Sequence, residues 1–157
     1  MHLGSAPLRS ASAPPHRRTH APLLLLTLTL TTLAAAQSGR TVWDGVYTEA
    51  QASRGEALYR KVCAHCHQPD LLGEGPAVAL VGQAFATRWN GQTVDDLFQT
   101  IKRSMPQEAP DSLGPQGYAD IVSYILQANG MPGGPAELPV ETPALQQIQI
   151  VARTPSP

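Results

Sequence analysis

Cys63-Ala64-His65-Cys66-His67 sets two thiols two residues apart, with an imidazole directly after the second. Two thiols at this spacing can add across the two vinyl groups of one porphyrin. The His that follows then lies where its ring can bind the iron axially. The pattern is the attachment signature of a c-type haem, and these are the only 2 cysteines among 157 residues. Other chemistries fit less well. A Cys63–Cys66 disulfide would close a tiny loop and staple little. A thioredoxin-like site needs a βαβ context, and no strand-rich pattern surrounds the motif. Zinc would need two further ligands at suitable spacing, and the sequence offers none.

Iron takes a second axial ligand. His65, inside the loop between the cysteines, is expected to face solvent, and His67 is expected to bind the iron. No other histidine follows residue 36, which leaves the thioethers of Met105 and Met131. Met105 lies 38 residues after His67, at a helix end and before Pro106. It is the expected ligand; Met131 reads as a surface or packing residue. A thioether stabilises ferrous iron and raises the reduction potential. With both axial positions filled no site remains for substrate, so no catalytic residue is assigned and the chain is not expected to be an enzyme.

The first 36 residues read as a segment removed on export. His16, Arg17 and Arg18 make a basic start, Leu23 to Leu33 is an apolar run of 11 residues, and Ala34-Ala35-Ala36 is a small-residue cleavage pattern. A retained anchor is the rival reading, but the run is well short of the roughly 20 residues that span a bilayer. Arg17-Arg18 lacks the continuation of a twin-arginine signal, so the general secretory route and a periplasmic location are expected. Residues 37–157 carry 8 Lys+Arg against 12 Asp+Glu, a net −4, together with all eight aromatics. With no basic run, nucleic acid is not an expected partner. An acidic surface suits soluble protein partners and permits steering by a basic one.

Three main helices must position these groups. Thr48-Glu49-Ala50-Gln51 matches a capping box, opening a helix to about Cys63 with Gly55, Tyr59 and Val62 on one face. Gln68 to Gly91 reads as a loop broken by Gly and Pro, folded against the cofactor. Thr93 caps a second helix to Ser104, with Val94, Leu97, Phe98 and Ile101 as its apolar stripe. Asp95 and Asp96 in its first turn and Lys102 and Arg103 at its end suit its dipole. Pro115 to Asn129 is the third helix, with Pro115 suited to its first turn and Gly130 as the stop. Gln37 to Tyr47 is an extended lead and Gly133 to Pro143 a Pro-rich extension. Ala144 to Ile150 forms at most a helical turn with Leu145 and Ile148 inward, and residues 151–157 a frayed, disordered end.

Gly55 and Tyr59 before the Cys-Ala-His-Cys-His motif, Gly75-Pro76 to Gly82, Trp89-Asn90-Gly91, Ser104-Met105-Pro106 and Tyr118 to Gly130 together carry a resemblance. Over Trp43 to Ile150 the chain resembles class I monohaem cytochromes c. The start, Val42 to Tyr47, is similar to that of bacterial periplasmic cytochromes associated with quinoprotein dehydrogenases. The resemblance implies an all-α cytochrome c fold over residues 37–150, three main helices packed around one covalently bound haem c with long loops. It implies thioether bonds at Cys63 and Cys66 and iron held by His67 and Met105. It also implies that the first and last helices cross at Gly55, Tyr59 and Tyr124. In this family a loop carbonyl holds the proximal His; here it is that of Pro76 or of Val78. Trp89 resembles the family's Trp that reaches a haem propionate, with core packing as the alternative.

The function expected is one-electron transfer between periplasmic redox proteins: a dehydrogenase as donor, a terminal oxidase or another cytochrome as acceptor. A second reading is a cytochrome subunit bound tightly to a dehydrogenase, using an exposed N-terminal Trp and Tyr and the C-terminal extension as contact surface. A third, a haem enzyme or gas sensor, requires an open sixth site. No stable membrane insertion is expected once the signal is cleaved.

Overall fold

The computed structural model describes Met1 and residues 39–152. The expected signal segment, its cleavage point near Ala36 and residues 153–157 lie outside the described residues. The chain divides into two units, and the account below concerns the second, Ala36–Pro157.

Helix α1 spans Glu49–Val62, and the Thr48 hydroxyl accepts the Gln51 N–H at 3.1 Å as its cap. The expected capping box is only half formed. Instead of reaching back to Thr48, the buried Gln51 amide donates to the Leu138 carbonyl at 3.2 Å and accepts the Leu138 N–H at 2.6 Å. Burial decides this: the Leu138 main chain packs beside Gln51 and would otherwise hold two unpaired polar groups.

The α1 stripe of Ala52, Gly55 and Tyr59 packs against a later helix, α5 below, at a close crossing. Before it the chain forms three further helices, α2 (Ala64–His67), α3 (Gly82–Trp89) and α4 (Val94–Ser104). Helix α4 carries a complete capping box: the Thr93 hydroxyl accepts the Asp96 N–H at 3.1 Å and the Asp96 carboxylate accepts the Thr93 N–H at 2.9 Å. Helix α5 spans Gly114–Ala128 with Pro115 in its first turn. A Cβ on Gly55 would overlap the Asp120 carbonyl and lie 3.0 Å from the Tyr124 Cβ, so only glycine lets α1 and α5 approach this far. Beside the crossing the Tyr59 and Tyr124 rings lie 5.3 Å apart. The Arg54 guanidinium grips the Asp120 carboxylate through two bonds of 3.0 Å.

Helix α3 corrects the expectation of unbroken loop from Gln68 to Gly91. It buries Phe85 and Trp89, one turn apart on one face. No side chain of its own caps it. Its cap comes from the end of α5, where Asn129 Oδ1 accepts the Gly82 N–H at 3.0 Å and Asn129 Nδ2 donates to the Leu80 carbonyl at 2.9 Å.

The C-terminal residues strap the molecule. A short helix, α6 (Thr142–Leu145), leads into β2 (Ile148–Gln149), which pairs in parallel with β1 (Arg40–Thr41). Leu145 and Ile148 are buried. Val151 and Ala152, expected at the start of a frayed end, are instead tied down. The Trp43 indole N–H donates to the Val151 carbonyl, and the Ala152 N–H to Asn90 Oδ1, each at 2.8 Å. The N-terminal aromatics are likewise not an exposed pair. Tyr47 is fully buried and Trp43 is half-buried against the core. Among the described residues the fold is mostly helical, its sheet a single two-residue pairing, and no helix is long and apolar enough to cross a membrane.

Candidate functional site

Helix α2 explains the spacing of the motif. Cys63 caps it, so Cys63, Cys66 and His67 stand at i, i+3 and i+4 and share one face. All three line a cleft of about 630 Å³ between the end of α1, the loop 68–81, α4 and α5. Leu97, Ile121 and Ile125 form its buried apolar wall. Met105, at the C-terminal end of α4, lines the same cleft. Met131 does not: it is buried beside a separate small cavity lined by Trp43 and Phe85.

The loop after α2 has one consequence for chemistry: it presents a carbonyl to His67. The Tyr59 hydroxyl donates to the Gln68 carbonyl at 2.7 Å, the Gly73 N–H to the His67 carbonyl at 3.0 Å, and the Leu80 N–H to the Leu71 carbonyl at 2.8 Å. Gly73 adopts φ +71°, and a Cβ there would overlap the Ala77 carbonyl and stand 2.9 Å from that of Val78. The loop so folded sets the Val78 carbonyl 2.9 Å from His67 Nδ1. Of the two carbonyls the sequence leaves open, His67 bonds that of Val78; Pro76 lines the cleft without holding the ring. A carbonyl can only accept, so Nδ1 carries the proton, and in the neutral ring the lone pair is then on Nε2.

The two thiols differ. Cys63 is half-buried and Cys66 exposed, and burial pushes the Cys63 thiol up to about 11. Among the described residues no group of three or more His, Cys, Asp or Glu is placed to hold a metal ion. His65 is exposed, with Nε2 3.5 Å from a Glu108 carboxylate oxygen.

Trp89 lies in the cleft wall, nearly buried, and its indole N–H has no hydrogen-bond partner among the described residues. Arg88, also lining the cleft, sets its guanidinium 5.2 Å from the Trp89 ring centroid. Sequence reasoning missed Arg88, because a lone Arg in a stretch read as loop carries no signal. It missed Tyr118 as well. The Tyr118 hydroxyl donates to the Met105 carbonyl at 2.8 Å, yet in the sequence Tyr118 is one more apolar position of α5. A roomy apolar cleft, a ring nitrogen with a free lone pair, two cysteines on the same helical face and a thioether in the same cleft fit a covalently attached haem.

Residues 50–125 match the family model described as cytochrome C oxidase, cbb3-type, subunit III. Cytochrome c-551 of Bacillus subtilis (strain 168) is 34% identical over 68 residues, which cover 43% of this chain and 57% of that protein. Both matches support a likeness to c-type cytochromes. The matched region takes in nearly all of α1, the Cys63–His67 motif, α3, α4 and most of α5. The chain thus spans somewhat over half the length of the curated relative it matches. No solved structure matches.

Proposed function

We propose that this chain is an exported, periplasmic electron carrier with one haem c attached at Cys63 and Cys66 and held axially by His67 and Met105. Haem c supplies reversible one-electron Fe(III)/Fe(II) chemistry when bound. The observation that carries the reading is the His67–Val78 bond in a cleft shared with Met105, because it fixes the imidazole tautomer a metal ligand needs. The Met105 thioether favours ferrous iron and suits the domain to accept electrons from a donor of low potential. Apolar residues of α4 and α5 would face the porphyrin. The Trp89 indole N–H and the Arg88 guanidinium are the donors suited to haem propionates. His67 and Met105 would hold the iron, and the chain's other residues would tune it without transforming a substrate. A periplasmic dehydrogenase as donor and a terminal oxidase or another cytochrome as acceptor would suit such a carrier.

The test is an optical spectrum of the purified exported protein, oxidised and reduced, with and without carbon monoxide, beside its intact mass. A low-spin spectrum with the weak red-edge sulfur-to-iron band, no response to carbon monoxide and the mass of one added haem would support the reading. A high-spin or carbon monoxide-reactive iron would overturn it in favour of a haem enzyme or sensor. The description of the matched family as an oxidase subunit favours a second reading, a cytochrome held in an oxidoreductase complex. Stable co-purification with a partner chain would select it.

A further inference from the structure

Both methionines among residues 39–152 have their main-chain carbonyl held by a fully buried tyrosine. Tyr118 donates to Met105 at 2.8 Å and Tyr47 to Met131 at 2.5 Å. Only the Met105 segment borders the cleft of His67. We infer that Tyr118 is a positioning residue for the sixth iron ligand: its hydroxyl moors the Met105 main chain to α5 and sets how readily Met105 yields the iron to an outside ligand. The inference rests on the His67/Met105 reading.

Met105 is where α4 stops. Its N–H still reaches the Ile101 carbonyl at 2.8 Å, but its own backbone is extended, with φ −133° and ψ 147°. The next residue, Pro106, has no N–H to offer. The segment that follows returns at Asp111, whose N–H donates to the Lys102 carbonyl at 3.0 Å and whose carboxylate pairs with Lys102 Nζ at 3.0 Å. Between these points the Met105 carbonyl is fastened by Tyr118. The Tyr118 ring is itself fixed edge-on against Phe98 of α4, centroids 6.3 Å apart. Because α5 crosses α1, which runs to Val62 and is capped by Cys63, the hydroxyl ties the ligand segment to the helix pair that leads into the Cys63–His67 motif.

An imidazole that displaces Met105 must lift this segment, so the Tyr118 bond works for the methionine-bound state alone. Removing the hydroxyl therefore eases displacement by the net worth of one part-buried hydrogen bond, about two- to tenfold in imidazole affinity. Tyr118→Phe deletes the oxygen and keeps the ring. Tyr47→Phe makes the same cut at Met131 and serves as the matched control.

The experiment uses holoprotein of the wild type and both variants. Imidazole is titrated while the sulfur-to-iron band is followed, and urea unfolding is measured in parallel. Tyr118→Phe should bind imidazole two- to tenfold tighter, while Tyr47→Phe loses stability but keeps the wild-type affinity. Equal affinity in Tyr118→Phe and wild type overturns the inference, and so does an equal gain in both variants, which would signal general loosening. A wild type without the band defeats the ligation reading itself and is seen before any variant is made. If Tyr118→Phe does not accumulate, tyrosine ring resonances of the wild type take its place. Imidazole should shift those of Tyr118 more than those of Tyr47; an unmoved Tyr118 overturns the inference.

Discussion

His67 Nδ1 donates to the Val78 carbonyl at 2.9 Å, a bond between residues eleven apart that joins α2 to the far side of the loop that follows it. The bond requires Gly73, whose left-handed backbone and missing Cβ allow the loop to fold over Ala77.

Gly73→Ala is expected to disturb this bond. An L-residue at that backbone angle costs about 1–2 kcal/mol, and the overlap with Ala77 adds about 1–3 kcal/mol. Imidazole that loses its carbonyl partner is less basic and stabilises ferric iron less. Holoprotein yield should fall and the reduction potential should rise. Unchanged yield and potential in a voltammetric measurement would show that the loop tolerates a side chain there.

At the crossing of α1 and α5, Gly55→Ala sets two effects against each other. Alanine gains about 1 kcal/mol of helix propensity. Its Cβ meets the Asp120 carbonyl, a main-chain atom that cannot turn aside. The steric term should win, with a net loss of about 2 kcal/mol or more. A lower urea midpoint of the holoprotein is the expected result, and a raised midpoint would contradict the close crossing.

The cap of α4 responds to acid. The Thr93 N–H and hydroxyl hold the Asp96 carboxyl below its ordinary value of 3.8. Since the folded group binds its proton less readily than the unfolded one, the cap's support is complete above about pH 4 and fades as pH falls through the folded value. Asp96→Asn should flatten this acid limb and leave stability near pH 7 only modestly changed. Thr93→Ala should cost about 0.5–2 kcal/mol at neutral pH. Unfolding curves between pH 2 and pH 7 that coincide in shape for Asp96→Asn and wild type would refute the assignment.

The two methionines should part company on substitution. Met105→Ala is expected to lower the potential and open the iron to carbon monoxide, with the sulfur-to-iron band lost. Met131→Ala should keep the spectrum and lose about 2–5 kcal/mol of stability, because it empties a buried site. The reverse pattern would hand the ligand role to Met131.

Several elements were legible in the sequence because their signals are local. Thr48 and Thr93 precede α1 and α4 as caps, and the apolar stripes of α4 and α5 repeat at helical spacing. The crossing at Gly55, Tyr59 and Tyr124 followed from the family resemblance. Helix α3 was missed because its cap, Asn129, lies 47 residues away and its buried face rests on only Phe85 and Trp89. Gln51 was misread for a related reason: its partner Leu138 is 87 residues distant, and a capping-box pattern cannot show that burial has claimed the side chain.

By itself the sequence determined that two thiols and an imidazole share a face, since at their fixed short spacing this needs only one turn of helix. It also left Met105 and Met131 as the candidate thioethers, with no histidine after residue 36 besides His65 and His67. Only the tertiary structure decided which methionine borders the cleft, which carbonyl holds His67 and which hydroxyl holds Met105. The physical reason is common to all three. Every residue carries a carbonyl, so its pairing is fixed by where long-range packing brings the chain and not by residue type.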